Sequence, residues 1–403
     1  MEATRTDTKK NEIKYEKSEL ELMTTYQLRE ICRREKIMNG VIHPLDKEEL
    51  IQAIMRYMGK RQDFFICDKK KGGEERVEEF LKKTRIVIKP CKELYCQSQI
   101  LAYEGLSIEY YDGYTIPYKK ELSGTNAFLM GSDMTLCAIL NLKEHGERQE
   151  KLYLTKAAEL EIRETQRKDY RIFCMGRQTS ESLYHLYYGE HTILPEHIEV
   201  YSIPLIDFVV RKPVTLMLPM AIDFGSVNTT AGVYLDSAYF ENVGEQAAVK
   251  NCRENEINYT AFEDGNGESM LLPSVIGVLA VEEEDYKLLF GYDAIRLANA
   301  SYVDEGFCVF YDVKRWIGEY EKEEEIVDRQ GRRRLVKRAE ILRRFFLYII
   351  RKTENRFKCR ISQVHISSPV KQKHYFRRMF REILPEYMTG QETMLDEGMA
   401  VLR

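Results

Sequence analysis

Met220-Ala-Ile-Asp-Phe-Gly-Ser-Val-Asn-Thr-Thr-Ala-Gly-Val-Tyr234 sets what the second half of this chain can become. An apolar run, Leu216 to Ile222, ends on one carboxylate, Asp223. The small-residue turn Gly225-Ser226-Val227-Asn228 follows, and a second run rich in β-formers extends from Thr229 to Leu235. The pattern predicts a β-hairpin whose tip carries an acid, a glycine and small polar side chains. Such a tip suits a polyphosphate with its metal. Glycine allows close backbone approach and positive φ, turn N–H groups form an anion-binding concavity, and a nearby Asp can hold Mg²⁺ through water. Taken alone, the same residues also read as an ordinary hairpin, so the flanking sequence must discriminate.

With 403 residues, 44% hydrophobic and 31% charged, the composition is that of a soluble globular protein of two or three domains. A net charge of -4 provides no global attraction to nucleic acid or anionic membrane. No apolar stretch reaches the roughly 20 residues of a membrane span. Met1 to Lys17 lacks the apolar centre of a signal peptide. The expectation is a cytoplasmic protein without membrane contact. Its 9 cysteines form no Cys-x-x-Cys pair and its 7 histidines no His-Glu-x-x-His group, which argues against a disulfide framework or a zinc enzyme.

Along the chain, residues 1–20 are polar and expected as a disordered arm. Residues 21–62 read as two short helices. Thr24 with Gln27, and Asp46 with Glu49, have capping-box spacing, and Met23/Leu28 and Leu45/Leu50 are placed as hydrophobic staples. The segments Leu28-Arg29-Glu30-Ile31-Cys32 and Lys47-Glu48-Glu49-Leu50-Ile51-Gln52-Ala53-Ile54 make this module resemble a SAP or Rho-N-terminal type helix-extended-loop-helix. That resemblance implies nucleic-acid contact. Glu30, Glu35, Glu48 and Glu49 dilute the basic residues, however, and docking to protein partners is the favoured expectation. Residues 63–83 are charged, contain Gly72-Gly73, and read as a linker leading into or through a short helix. Residues 84–214 favour strands, clearest at Arg85–Lys89, Leu106–Tyr111, Met134–Leu140 and Tyr170–Cys174. Tyr110, Tyr111, Tyr114, Tyr184, Tyr187 and Tyr188 read either as a recognition surface or, the favoured expectation, as strand and core packing, and no catalytic constellation stands out in this region.

Behind the hairpin come, in order, Pro273-Ser-Val-Ile276, Phe290-Gly-Tyr-Asp-Ala294 and Phe310-Tyr-Asp-Val-Lys-Arg-Trp-Ile-Gly318. An apolar helix around Ile341 to Ile350 follows, then a strand ending in Ser367-Ser-Pro369, a helix from about Lys371, and Leu395-Asp-Glu-Gly-Met-Ala400. Glu321–Glu325 and Arg332–Arg334 read as an exposed loop or helix end. This series, over residues 215–403, resembles the first lobe of the nucleotide-binding domain of the DnaK-type heat-shock protein 70 chaperones, members of the actin-like ATPase superfamily. The resemblance implies an α/β fold: a ribonuclease-H-like, actin-type lobe, preceded here by the β-rich domain and the small helical module.

It also implies ATP or ADP with Mg²⁺ as ligand. By motif, Asp223 looks like the acid that holds Mg²⁺ through its water shell, and Gly225, Ser226, Val227 and Asn228 like the first phosphate loop. Lys314 looks like the lysine that meets the γ-phosphate and attacking water, and Glu397 like the carboxylate near the metal. Arg315 looks like a neighbouring support. Asn228 departs from the family's usual aromatic or small hydroxyl residue, and Asp396-Glu397-Gly398 from its Asn-Glu-Pro. The family's second phosphate loop, Asp-x-Gly-Gly-Gly-Thr, does not occur in these 403 residues. The expectation is therefore half an ATPase, completed by a continuation of the chain or by a second-lobe polypeptide. The competing expectation is a non-enzymatic scaffold with possible nucleic-acid tethering by the N-terminal module.

Overall fold

The computed structural model describes residues 15–35, 46–58, 64–67, 69–145, 150–155, 169–205, 207–243, 249, 251–264, 267–300, 308–368, 373–387 and 394–396. The chain forms two compact units. One joins Met1–Arg61 to Pro273–Arg338, and the other joins Gln62–Leu272 to Ala339–Arg403. Residues 84–214 share a unit with the hairpin, whereas 273–338 group with the N-terminal module.

In the first unit, helices Thr25–Arg34 and Lys47–Met58 occupy the positions the capping pattern predicts. Both boxes close. The Thr24 amide donates to Gln27 Oε1 at 2.8 Å, and Asp46 and Glu49 exchange bonds at 2.9 Å in each direction. Leu28, Ile31, Cys32, Leu50, Ile51 and Ile54 form the shared core. The expected disordered arm is corrected at its end: Lys17–Glu21 is helical, with Tyr15 and Leu20 in that core. Residues 1–14 lie outside the described residues. Arg33 pairs with Glu30, and Arg34 with Glu35.

The opposite-charge runs read as a loop or helix end are in fact a β-hairpin. Glu323–Val327 pairs antiparallel with Arg333–Lys337, and the Arg333 guanidinium meets Glu325 at 2.9 Å. The antiparallel register sets Glu323 opposite Lys337 and Glu325 diagonal to Arg333, pairings across strands that a linear reading misses. Asp328, 2% exposed, closes this hairpin by accepting the Val281, Gln330 and Arg332 amides and the Arg332 side chain. Burial acts to raise its carboxyl, but these bonds outweigh it and hold Asp328 below the usual carboxylate range. The stabilisation is thus full above about pH 4 and is lost as pH falls through the lower folded-state value. Asp328→Asn cannot accept the bonds made by the second oxygen, and is expected to cost on the order of 2 kcal/mol near neutrality. Denaturant titrations from pH 7 to pH 2 should show this gap between wild type and variant closing in acid.

In the second unit, a curled seven-stranded sheet runs in the order Arg85–Lys89, His197–Leu205, Tyr170–Met175, Thr125–Gly131, Leu136–Lys143, Lys151–Thr155, Thr115–Pro117. Its central strands are buried on both faces. Helices Gly73–Lys83 and Arg177–Tyr188 cover one face, inserting Val77, Leu81, Leu183 and Tyr187. Part of the expected 63–83 linker is therefore core. Tyr184, Tyr187 and Tyr188 do pack, but from a helix and not a strand. The run 106–111 is irregular backbone entering a short 3-10 turn at Tyr110–Asp112, and not a strand.

The hairpin belongs to a second sheet in this unit. Its strands are β1 (Met220–Phe224), β2 (Asn228–Leu235) and β3 (Glu256–Tyr259). Then follow α1 (Arg338–Phe357), β4 (Val364–Ser368), α2 (Lys373–Ile383) and β5 (Met394–Asp396). The path is β3-β2-β1-β4-β5, antiparallel from β3 to β1 and parallel from β1 to β5. Alternation along β1 turns Met220, Ile222 and Phe224 inward, and the Phe224 ring packs on Phe345 and Phe346 of α1. Phe346 in turn meets Phe380 of α2. The apolar run from Leu216 is not one strand. Val214–Leu216 pairs in parallel with Cys359–Ile361, and Met217, 86% exposed, interrupts the run.

Candidate functional site at the carboxyl end of β1

The register Met220↔Val364, Ala221↔His365, Ile222↔Ile366 aligns β1 with β4. It brings Asp223 beside Ser367, on the sheet face opposite Phe224. Asp223 pairs across β2 with Thr230, and its side chain is exposed while its neighbours Ile222 and Phe224 are buried. The Ser367 hydroxyl bonds to Asp223 Oδ1 at 2.5 Å. The Ser367 Oγ in turn accepts the Phe224 amide at 3.3 Å. On the far side of β4, Ser367 aligns with Leu395 and Ser368 with Asp396. Three parallel strands therefore end along one edge, the location where open α/β sheets bind ligands.

Beyond Phe224 the chain turns through Gly225–Asn228, and the Gly225 amide donates to the Asn228 carbonyl at 3.1 Å. A Cβ built on Gly225 would lie 2.3 Å from that carbonyl oxygen, so no side chain fits there. The expectation of positive φ is corrected: among the described glycines, Gly225 is not one with left-handed backbone. The residue supplies room for a backbone approach and not an unusual dihedral. Ser226 and Val227 form the exposed tip, Val227 being 75% exposed, and Asn228 is half-buried.

Of the remaining sequence-assigned residues, Lys314 and Arg315 belong to the first unit and Glu397 lies outside the described residues. Lys314 is in the first unit, half-buried in the 3-10 segment Val313–Glu319. That segment starts after Asp312, whose backbone is left-handed at φ 54°. Arg315 is ion-paired with Asp312 and its side chain is 86% exposed. Glu397 falls outside the described residues, one position past the end of β5. Sequence reasoning missed the part played by Ser367. The available signal was the Ser-Ser pair closing a strand just before Pro369.

Two contacts seat the connection between α1 and β4, on the amino side of β4. Glu354 near the end of α1 accepts the Ile361 amide at 2.9 Å and the Arg360 guanidinium at 3.1 Å, and burial pushes its carboxyl up. Lys358 follows α1 in left-handed backbone, φ 51°, and buries its ammonium 2.9 Å from Asp112 Oδ1 and 2.9 Å from the Ser107 carbonyl. Among the described residues no group of three or more His, Cys, Asp or Glu is arranged to hold a metal. A hard cation at this edge would rest on Asp223, with water and ligand oxygens completing its shell, as Mg²⁺ commonly does with phosphates. No helix among the described residues is long and apolar enough to cross a membrane. No protein-family model and no curated protein matches the chain.

Proposed function

We propose that residues 215–403 form an actin-like, DnaK-type ATP-binding lobe of ribonuclease-H-like topology, with Mg·ATP or Mg·ADP as its ligand. The observation that carries this reading is the path β3-β2-β1-β4-β5, with an exposed aspartate at the carboxyl end of its central strand β1 and a glycine turn that admits no Cβ directly after it. The donor set also suits the ligand. Asp223 offers a carboxylate to a hydrated Mg²⁺, and the turn Gly225–Asn228 offers backbone and small polar groups to phosphate. In this reading Asp223 orients the metal's water shell, and the buried α1 face keeps the strand ends rigid. For Lys314 and Glu397 the support is motif alone. Hydrolysis requires the second phosphate loop, supplied by a continuation or a partner polypeptide.

Calorimetric titration of the full chain with Mg·ATP is expected to give saturable binding that Asp223→Ala removes. Where hydrolysis is reconstituted with the completing lobe, Lys314→Ala is expected to abolish turnover and keep binding, since a fixed cation there acts on developing charge. Absence of any nucleotide binding by the wild-type chain would overturn the reading and leave the non-enzymatic scaffold in its place. Unchanged turnover in Lys314→Ala would remove that residue's role alone.

A further inference from the structure

We propose that Ser367 is a positioning residue that holds the Asp223 carboxylate in a single orientation for a metal-bearing polyphosphate. This rests on the phosphate-loop reading of the same edge and gives a role to a residue of the Ser367-Ser-Pro369 stretch, to which the resemblance assigned none.

The direction of the hydroxyl proton follows from its partners. The Phe224 amide can only donate, so Ser367 Oγ is its acceptor at 3.3 Å. An ionised Asp223 can only accept, so the one hydroxyl proton of Ser367 goes to Oδ1. Both bonds are made at once, and together they fix the serine rotamer. Ser367 is 7% exposed and lies in a strand paired on both sides, with Ile366 aligned to Ile222 and Ser367 to Leu395. The hydroxyl is therefore anchored in the sheet, while the carboxylate it holds stands at the exposed rim. Without such an anchor an exposed aspartate exchanges among staggered rotamers, and each binding event has to freeze one.

The arrangement also divides the work of the two carboxylate oxygens. Oδ1 is committed to Ser367, and Oδ2 has no hydrogen-bond partner among the described residues. Oδ2 is thus the atom that meets an outer ligand. Ser367 gives its proton to Asp223 and one of its two lone pairs to an amide, and it is 7% exposed within the sheet, so it is assigned a positioning role. Its contribution passes through Asp223.

In the full chain, Ser367→Ala is expected to weaken Mg·ATP binding about tenfold, the scale seen when a ligand's outer hydrogen-bond partner is removed. It should also raise the Mg²⁺ concentration needed for binding. Ser367→Thr, which keeps the hydroxyl, is expected to retain both properties. On an Asp223→Asn background, Ser367→Ala should cost nothing further, because the serine acts through that carboxylate. Should the alanine variant fold poorly, Ser367→Cys provides a near-isosteric weak donor for the same measurements. A crystal structure of the variant supplies a readout independent of nucleotide: Asp223 is expected in a changed rotamer. An unchanged rotamer, or a fully additive loss on the Asp223→Asn background, overturns the positioning role. A wild-type chain that binds no Mg·ATP, with the rotamer change present, overturns the phosphate reading and leaves the positioning of Asp223 standing.

Discussion

Lys358→Met is expected to lower the unfolding free energy of this chain by about 3–5 kcal/mol, the usual consequence of leaving one member of a buried ion pair alone. Both side chains of the Lys358–Asp112 pair are nearly sealed from water, at 3% and 2% exposure. The ammonium donates to Asp112 Oδ2 and to the Ser107 carbonyl, and lies 2.9 Å from Asp112 Oδ1 as an ion-pair contact. Methionine matches the stem in length but makes none of these bonds. Burial pushes the Asp112 carboxyl up, and the ammonium pulls it back. Without the ammonium, the acid must be protonated or bear its charge in an apolar setting. The deficit should therefore shrink as pH falls and the lone carboxyl takes up a proton. Denaturant unfolding at pH 7 and pH 5 measures both effects. The double variant Lys358→Met, Asp112→Asn keeps an acceptor for the Glu109 amide and should recover much of the loss. A single variant within 1 kcal/mol of wild type would show that this pair does not tie the β-rich region to the end of α1.

Under the proposed phosphate-loop reading, Gly225→Ala is expected to abolish most nucleotide affinity, with a loss above roughly tenfold, and independently of that reading to destabilise the hairpin by about 1–3 kcal/mol. The added methyl would meet the Asn228 carbonyl oxygen at 2.3 Å. That atom is backbone, and it is the acceptor of the turn's own Gly225 amide bond. It has no side-chain torsion with which to yield, so the turn itself must open. Ser226→Ala, at the exposed tip, removes one hydroxyl without a clash and serves as the control for stability alone, because that hydroxyl belongs to the same proposed phosphate loop. Calorimetry with Mg·ATP and thermal unfolding of both variants check the two parts separately. Wild-type affinity in Gly225→Ala would mean that the turn does not cradle the ligand.

Much of the local structure was legible because its causes are local. Thr24/Gln27 and Asp46/Glu49 close within one helical turn, so their spacing alone predicts two helix starts. The hairpin at Asp223, the apolar helix α1 and the strand β4 declare themselves by periodicity and by their bounding turns. Failures arose where the pattern was ambiguous. Glu321–Glu325 and Arg332–Arg334 were read as one-dimensional charge runs, yet their pairing is across two strands. Arg177–Tyr188 has the aromatic content of a strand and forms a helix because the sheet needs a cover for Phe173 and Ile198. Residues 63–83 read as a linker leading into or through a short helix, and what that reading left out is that the helix Gly73–Lys83 buries Val77 and Leu81 in the core.

At the site the division is sharper. Asp223 and the turn Gly225–Asn228 are contiguous, so one stretch of sequence was enough to nominate them. What the amino-acid order determined by itself is the set of elements, their caps, and the acid-glycine tip of one hairpin. The tertiary structure decided that β4 lies parallel beside β1, and so that Ser367 reaches a carboxylate 144 positions away. It likewise decided that Lys358 is neutralised by Asp112, 246 positions earlier. Parallel pairing and buried ion pairs leave no local signature. Their partners are chosen by the burial of whole faces, and that choice is made only when the chain closes on itself.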